Sequence, residues 1–180
     1  MLTDILDLDT SQLKRPPRAY GFDSFLQLDR DVTIHLAGKQ KKPGSPGPQP
    51  GKPSIVCSSD TEELIRVVKR FDVVYSTIYD ASPALLTRVN AAKRKVLVNV
   101  YDILSKEGAD RAQMMHRVSR FLEFCRSYRV EVVFASMAKD ESGIRSPQEI
   151  ADIFVQLGVG REQIRYSYSI INDVSWAGPE

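Results

Sequence analysis

The sequence holds few of the residues that bind metals or cross-link chains. It has two histidines, His35 and His116, and two cysteines, Cys57 and Cys125, in 180 residues. Each cysteine lies in an apolar stretch and the chain has no Cys-x-x-Cys motif, so we predict two buried free thiols rather than a disulfide or a zinc site. Two histidines are too few for most metal-hydrolase or histidine-base mechanisms. We therefore expect no catalytic residue and no metal ligand of the chain's own.

Long hydrophobic runs are also absent. No apolar stretch approaches the roughly 20 residues that a membrane-spanning helix needs, so an integral membrane protein is excluded. The N-terminus carries an early acid, Asp4, and no basic region before an apolar core. We therefore expect no signal peptide, no membrane partner and a cytoplasmic protein. With 42% hydrophobic and 27% charged residues, the composition is that of one globular domain spanning residues 1–180.

Net charge is only +2, but it is unevenly distributed. Residues 39–53 read KQKKPGSPGPQPGKP, with four lysines, five prolines, three glycines and no acid. Such a segment cannot hold a helix or a central strand, so we predict a flexible basic loop inserted in the domain. Without its four positive charges the remainder is slightly acidic, so any nucleic-acid-binding face must be a local patch.

Strand-like and helix-like segments alternate along the chain. This pattern indicates an α/β fold with parallel strands joined by right-handed crossovers. Two architectures fit: a compact TIM-barrel-like (β/α) fold, short enough to lack a strand or a helix of the full barrel, and a doubly wound open sheet. We predict strands at 5–9, 32–37, 53–58, 73–78, 95–101 and 130–136, helices at 60–70, 82–90, 110–128 and 146–157, a helix candidate at 20–28 and an element of undetermined type at 166–171.

Basic residues form the candidate binding groups. On a helical wheel of 110–128, one flank collects Gln113, Arg117, Arg120 and Phe124, and arginine beside an aromatic ring suits phosphate contacts and base stacking. An ordinary solvated helix flank is the alternative. The other candidates are Lys93, Arg94 and Lys95 before a strand, Lys139 and Arg145 in the loop that leaves a strand, and Arg161 and Arg165 near the C-terminus. No nucleophile with an adjacent base is evident among them.

The C-terminal part of the chain resembles a known family. Residues 110–176, and above all 133–158 (VFASMAKDESGIRSPQEIADIFVQLG), resemble ribonuclease P protein component 3, the archaeal counterpart of the eukaryotic thirty-kilodalton ribonuclease P subunit. The resemblance rests on a strand that ends in Ala135-Ser136, on Arg145-Ser146-Pro147 entering a helix, and on Leu157-Gly158 ending it. The opening Leu6-Asp7-Leu8-Asp9 is similar to the family's first strand. The match is good from residue 53 onward and poor over 13–52.

This resemblance implies a compact barrel related to the polymerase-and-histidinol-phosphatase group but without its metal histidines. It implies a non-catalytic subunit that has no cofactor of its own, because the ribonuclease P RNA uses magnesium to cleave the 5′ leader from precursor tRNA. The implied partners are that RNA, ribonuclease P protein component 2, and precursor tRNA as substrate of the complex. Residue matching makes Lys139 and Arg145 the expected RNA contacts.

Two other interpretations remain open from the residues alone. A metal-dependent phosphoesterase of the related barrel class would use the carboxylates around the first strand, Asp4, Asp7 and Asp9, although no histidine accompanies them. A doubly wound regulatory or nucleotide-binding domain would have a different strand order.

Overall fold

The computed structural model describes residues 3–27, 31–37, 48 and 52–173. Its strands are parallel, and from residue 54 onward they alternate with helices. The strands are β1 (Thr3–Leu6), β2 (Ser24–Gln27), β3 (Thr33–Leu36), β4 (Ser54–Ser58), β5 (Val73–Ser76), β6 (Lys95–Asn99) and β7 (Val132–Ala135). The helices are α1 (Thr61–Val67), α2 (Pro83–Ala91), α3 (Tyr101–Leu104), α4 (Gly108–Ser127), α5 (Pro147–Gln156) and α6 (Arg161–Asp173). The α/β class predicted from the sequence is confirmed. Most of the predicted basic loop at 39–53 lies outside the described residues.

The sheet follows the order of the chain. Strands β3 to β7 form one parallel sheet in the order β3-β4-β5-β6-β7, and β1 pairs with β2, also in parallel. Right-handed crossovers between strands taken in sequence place the connecting helices on one side of a sheet. A doubly wound sheet needs a reversal of strand order, and the described strands β3 to β7 of the larger sheet contain none. This order disfavours the doubly wound alternative.

Strand β1 lies against the end of β7. The Met137 amide donates to the Ile5 carbonyl at 2.9 Å, and the Asp7 amide donates to the Ala138 carbonyl at 3.0 Å. These two bonds place the β1–β2 pair beside the last strand of the larger sheet. Helix α6 packs on both β1 and β7, so it covers the position where the two sheets meet.

The core is formed by strands that are buried on both faces and by the apolar sides of the helices. Every residue of β5 and β7 is buried, as is typical of parallel sheets covered by helices. Helix α4 contributes Val118, Phe121, Leu122 and Cys125, which lie on one face of the helix at spacings of three and four residues. No described helix is both long and apolar enough to cross a membrane.

Both cysteines are free and buried, as predicted. Burial raises the pKa of the Cys57 thiol to about 11 and that of the Cys125 thiol to about 12.

Two of the predicted helices begin with a serine cap followed by proline: Ser82 caps α2, and Ser146 forms a reciprocal capping box with Glu149 at the start of α5.

Several elements differ from the sequence predictions: the first strand lies at Thr3–Leu6 instead of 5–9, and helix α3 was not predicted. The helix candidate at 20–28 is wrong: a short 3-10 turn at Pro17–Tyr20 ends in Gly21, and β2 follows. Tertiary pairing of β2 with β1 overrides a weak helical pattern there. The undetermined element at 166–171 belongs to helix α6. At α1, the Asp60 side chain caps the helix, and Glu63 accepts a hydrogen bond from the Ser58 hydroxyl.

Candidate nucleic-acid interface

The predicted cluster 93–95 lies where α2 ends and β6 begins. The structure places Arg94 3.6 Å from Asp72, and its guanidinium also donates to the Lys69 carbonyl at 3.1 Å. Lys95 forms an ion pair with Glu131 at 3.0 Å. Lys93 is exposed at the end of the helix. Arg94 and Lys95 therefore link this turn to neighbouring turns, whereas Lys93 presents its charge to solvent.

The polar flank of α4 has the geometry that the helical wheel predicts. Arg117 and Arg120 are exposed on it. One to two turns further on, Phe124 stacks on Tyr128, with ring centroids 6.4 Å apart and an interplanar angle of 14°. Both rings are half-buried and pack against the core. The flank thus combines two exposed arginines with a half-buried, stacked aromatic pair.

Lys139 and Arg145 lie in the loop that follows β7, at the opposite edge of the sheet. Lys139 is exposed, and its ammonium lies 6.0 Å from the centre of the Tyr101 ring. Arg145 is half-buried and its Nη1 donates to the carbonyls of Ser142 at 2.5 Å and Ile144 at 3.0 Å. Arg145 therefore stabilises its own loop through these two hydrogen bonds, and its positive charge lies beside the start of α5.

The last two predicted residues lie on α6. Arg161 pairs with Asp152 of α5 at 2.6 Å, whereas Arg165 is exposed. The nine predicted residues therefore do not form one cluster. They lie at the start of β6, on the flank of α4, in the loop after β7 and on α6.

A polar network that the sequence analysis missed lies at the carboxyl ends of β5 and β6. Asp102 of α3 accepts hydrogen bonds from the hydroxyls of Tyr75 at 2.5 Å and Tyr79 at 2.8 Å, and from the side-chain amide of Asn99 at 3.0 Å. The Tyr79 hydroxyl also accepts from the Asn99 backbone amide at 3.0 Å. A signal was present in the sequence, because Tyr75 and Asn99 are polar residues that directly follow apolar runs within two predicted strands.

The electrostatics of this network favour a structural role. Burial raises the pKa of Asp102, and hydrogen bonds from the two tyrosines partly offset that effect. Burial and the nearby carboxylate raise the pKa values of Tyr75 and Tyr79 above their usual range. Both hydroxyls consequently stay protonated and donate to the carboxylate, which fixes α3 over the ends of the strands. Neither hydroxyl suits the role of a general base.

The carboxylates around β1 do not form a metal centre among the described residues. Asp4 is fully buried and accepts hydrogen bonds from the backbone amides of Ile5 at 2.9 Å and Ser136 at 2.8 Å, and from the Ser136 hydroxyl. Asp9 caps the 3-10 turn that follows β1. Within residues 3–27, 31–37 and 52–173, no three histidine, cysteine, aspartate or glutamate side chains are grouped as a metal site would require.

Comparisons with known proteins give one informative result. No protein-family model matches the chain. The search of curated proteins finds no match either. The fold, however, is similar to a chain in the cryo-EM structure of archaeal ribonuclease P with mature tRNA. The TM-score is 0.60 at 15% sequence identity, and the superposition covers 67% of this chain and 56% of the other. The chain thus shares its fold with slightly more than half of that neighbour.

Proposed function

We propose that this chain is a protein subunit of ribonuclease P that binds and stabilises the catalytic RNA for maturation of the 5′ end of precursor tRNA. The fold similarity to a chain of archaeal ribonuclease P carries the proposal. The sequence resemblance from residue 53 onward rests on separate residues and motifs, and it favours ribonuclease P protein component 3 as the particular subunit.

The proposed architecture is an incomplete TIM-like barrel. Its support is the strand order: five parallel strands follow the chain in sequence, and β1 is hydrogen-bonded to the end of β7, where a barrel strand would continue the curve. Each described strand pair is parallel, as barrel formation of this type requires.

In the proposed mechanism the protein supplies positive charge and shape, and the RNA performs the hydrolysis with its own magnesium. Exposed cations neutralise closely spaced phosphates, so the RNA keeps its active fold at lower magnesium concentration. Lys93, Arg117, Arg120, Lys139 and Arg165 are exposed and suit this role. Arg94, Lys95 and Arg161 contribute less because each already has a carboxylate partner. Ribonuclease P protein component 2 is the proposed protein partner.

Salt dependence of RNA binding tests this proposal. Titration of the full chain into ribonuclease P RNA at several salt concentrations is expected to give a log K that falls linearly and steeply with log salt concentration. Arg120→Gln is expected to weaken binding, whereas Arg161→Gln, the matched control on an ion-paired arginine, is expected to weaken it less. A flat salt response, or no binding to this RNA, would contradict a phosphate-driven interface.

Arg145 needs a test that separates binding from folding, because it also holds its loop. Arg145→Ala is expected to weaken cleavage of precursor tRNA in the reconstituted complex while the protein remains folded. The thermal midpoint of the isolated variant is the control. A large fall in that midpoint would show that the role of Arg145 is structural.

The phosphoesterase alternative is tested on the same preparation. The isolated chain, supplied with manganese or zinc, is expected to leave a generic phosphoester substrate unhydrolysed. Metal-dependent turnover by the RNA-free protein would favour the enzyme interpretation over the proposed one.

A further inference from the structure

Basic residues collect in the three turns that lead into β5, β6 and β7. Segments 68–72, 92–95 and 128–131 contain six basic residues and two acidic ones, an excess of four positive charges in a chain whose net charge is +2. The two acids, Asp72 and Glu131, are the partners of Arg94 and Lys95. The remaining cations are Lys69, Arg70, Lys93 and Arg129, and all four are exposed.

These turns form one continuous surface. Arg94 donates to the Lys69 carbonyl at 3.1 Å, which joins the turn before β5 to the turn before β6. The Val96 amide donates to the Glu131 carbonyl at 3.0 Å, which joins the start of β6 to the turn before β7. The four exposed cations therefore lie along one edge of the sheet, where the strands begin, and we name them the basic rim.

The opposite edge carries acidic residues at the ends of three strands, whereas the cations Lys139 and Arg145 follow β7. The turns after β4, β5 and β6 bring Asp60, Asp80 and Asp102 to the ends of those strands. A polyanion is therefore attracted to the rim and repelled from the carboxyl ends of β4, β5 and β6, where functional groups usually lie in parallel α/β folds.

Two rim residues occupy a backbone conformation that glycine normally supplies. Lys93 and Arg129 each have φ of 54° immediately after helices α2 and α4, and the amide of the following residue donates back into the helix at 3.0 and 2.8 Å. Helix α5 ends with the same hydrogen-bond pattern, and there the residue is Gly158, with φ of 81°. Basic residues at helix ends complement the helix dipole, but that effect does not require a side chain in the left-handed conformation.

We propose that the basic rim is the surface on which this protein holds the phosphate backbone of the RNA. The inference rests on the proposed function and adds the edge where the strands begin to the surfaces that meet the RNA. Lys93 and Arg129 are the central contacts, because each presents an exposed cationic side chain at a left-handed backbone position where glycine would be less strained.

Glycine substitution separates two possible causes of weaker RNA binding. If the lost charges are the cause, affinity falls while the thermal midpoint does not; if damage to the fold is the cause, the thermal midpoint falls as well. The double variant Lys93→Gly/Arg129→Gly removes two rim charges and relieves two disfavoured backbone conformations, so its thermal midpoint is expected to stay level or rise. Its affinity for ribonuclease P RNA near 100 mM salt is expected to fall about tenfold or more. The slope of log K against log salt concentration is expected to be smaller in magnitude by about 1.4 to 1.8, as the loss of two phosphate contacts requires. Lys14→Gln/Arg15→Gln removes the same charge after β1, at the other edge, and is expected to change affinity less than about threefold.

The outcomes separate this inference from the proposed function. The rim inference would be contradicted if the rim variant kept the wild-type RNA affinity and salt slope, or if the Lys14/Arg15 control lost as much affinity as the rim variant. Either result would leave RNA binding by the protein in place. No binding of this RNA by the wild-type protein would overturn the proposed function and the rim with it. A lower thermal midpoint would show that the two side chains serve the fold; Lys93→Asn/Arg129→Asn, which also tolerates this conformation, repeats the measurement and must reproduce the loss of affinity.

Discussion

The buried carboxyl group of Asp4 gives the sharpest test of how β1 is held against β7. It is fully buried, and its oxygens accept hydrogen bonds from two backbone amides and from the Ser136 hydroxyl. Burial disfavours the charged form more than these hydrogen bonds favour it, and the pKa of Asp4 rises from 3.8 to about 7. The folded protein therefore binds a proton that the unfolded chain releases near pH 4.

The size and sign of the effect follow from that shift. Roughly 3 pKa units at 1.36 kcal/mol each correspond to about 4 kcal/mol. The pKa is higher in the folded state, so proton binding by Asp4 stabilises the folded protein. This contribution to the free energy of unfolding is fully present below about pH 4 and is lost as the pH rises from about 4 to about 7. Asparagine reproduces the neutral form: its carbonyl oxygen accepts from the two amides and its NH2 group donates to the Ser136 oxygen.

Urea unfolding of the wild type and Asp4→Asn between pH 4 and pH 8 measures the difference. The two proteins are expected to be similar near pH 4, and the variant is expected to be more stable at pH 8 by up to about 4 kcal/mol. Taking the difference between the two proteins cancels the contributions of the other carboxylates. A difference that stays constant with pH, or a wild type that gains stability over the variant as pH rises, would refute the reasoning.

Three further predictions concern the rest of the fold. Tyr79→Phe removes a donor to Asp102 and leaves the carboxylate less satisfied, so the free energy of unfolding is expected to fall by about 1.5–3 kcal/mol in denaturant titration. Ser146→Ala removes the cap of α5 and is expected to cost about 1 kcal/mol in the same measurement. Cys57 and Cys125 are buried thiols with raised pKa values, so a thiol reagent is expected to label them in urea but not in the native protein at pH 8.

Most of the fold can be predicted from local signals. The capping residues Ser82 and Ser146, with proline after each, mark helix starts, and short β-branched runs mark β4 to β7. Strand β2 could not be predicted in this way because it is four residues long and is stabilised by pairing with β1 across 17 intervening residues, a contact that no local pattern encodes.

The candidate site was less predictable because charge partners come from distant parts of the chain. In the sequence, Arg94 and Lys95 look equivalent to Lys93, and only folding brings Asp72 and Glu131 to them. Arg129 is an isolated cation in its part of the sequence, and its significance comes from its left-handed backbone conformation and from the neighbouring turns. Asp102 likewise becomes prominent only when two strand ends bring Tyr75 and Asn99 beside it.

The central claim is that the chain works as a subunit of ribonuclease P, and co-purification tests it most directly. The tagged full chain is expressed in the organism that encodes it, recovered under gentle salt, and the bound RNA is sequenced. We expect ribonuclease P RNA to be strongly enriched over a tagged control protein, together with precursor tRNA cleavage activity. Recovery of the chain without that RNA and without that activity would contradict the account.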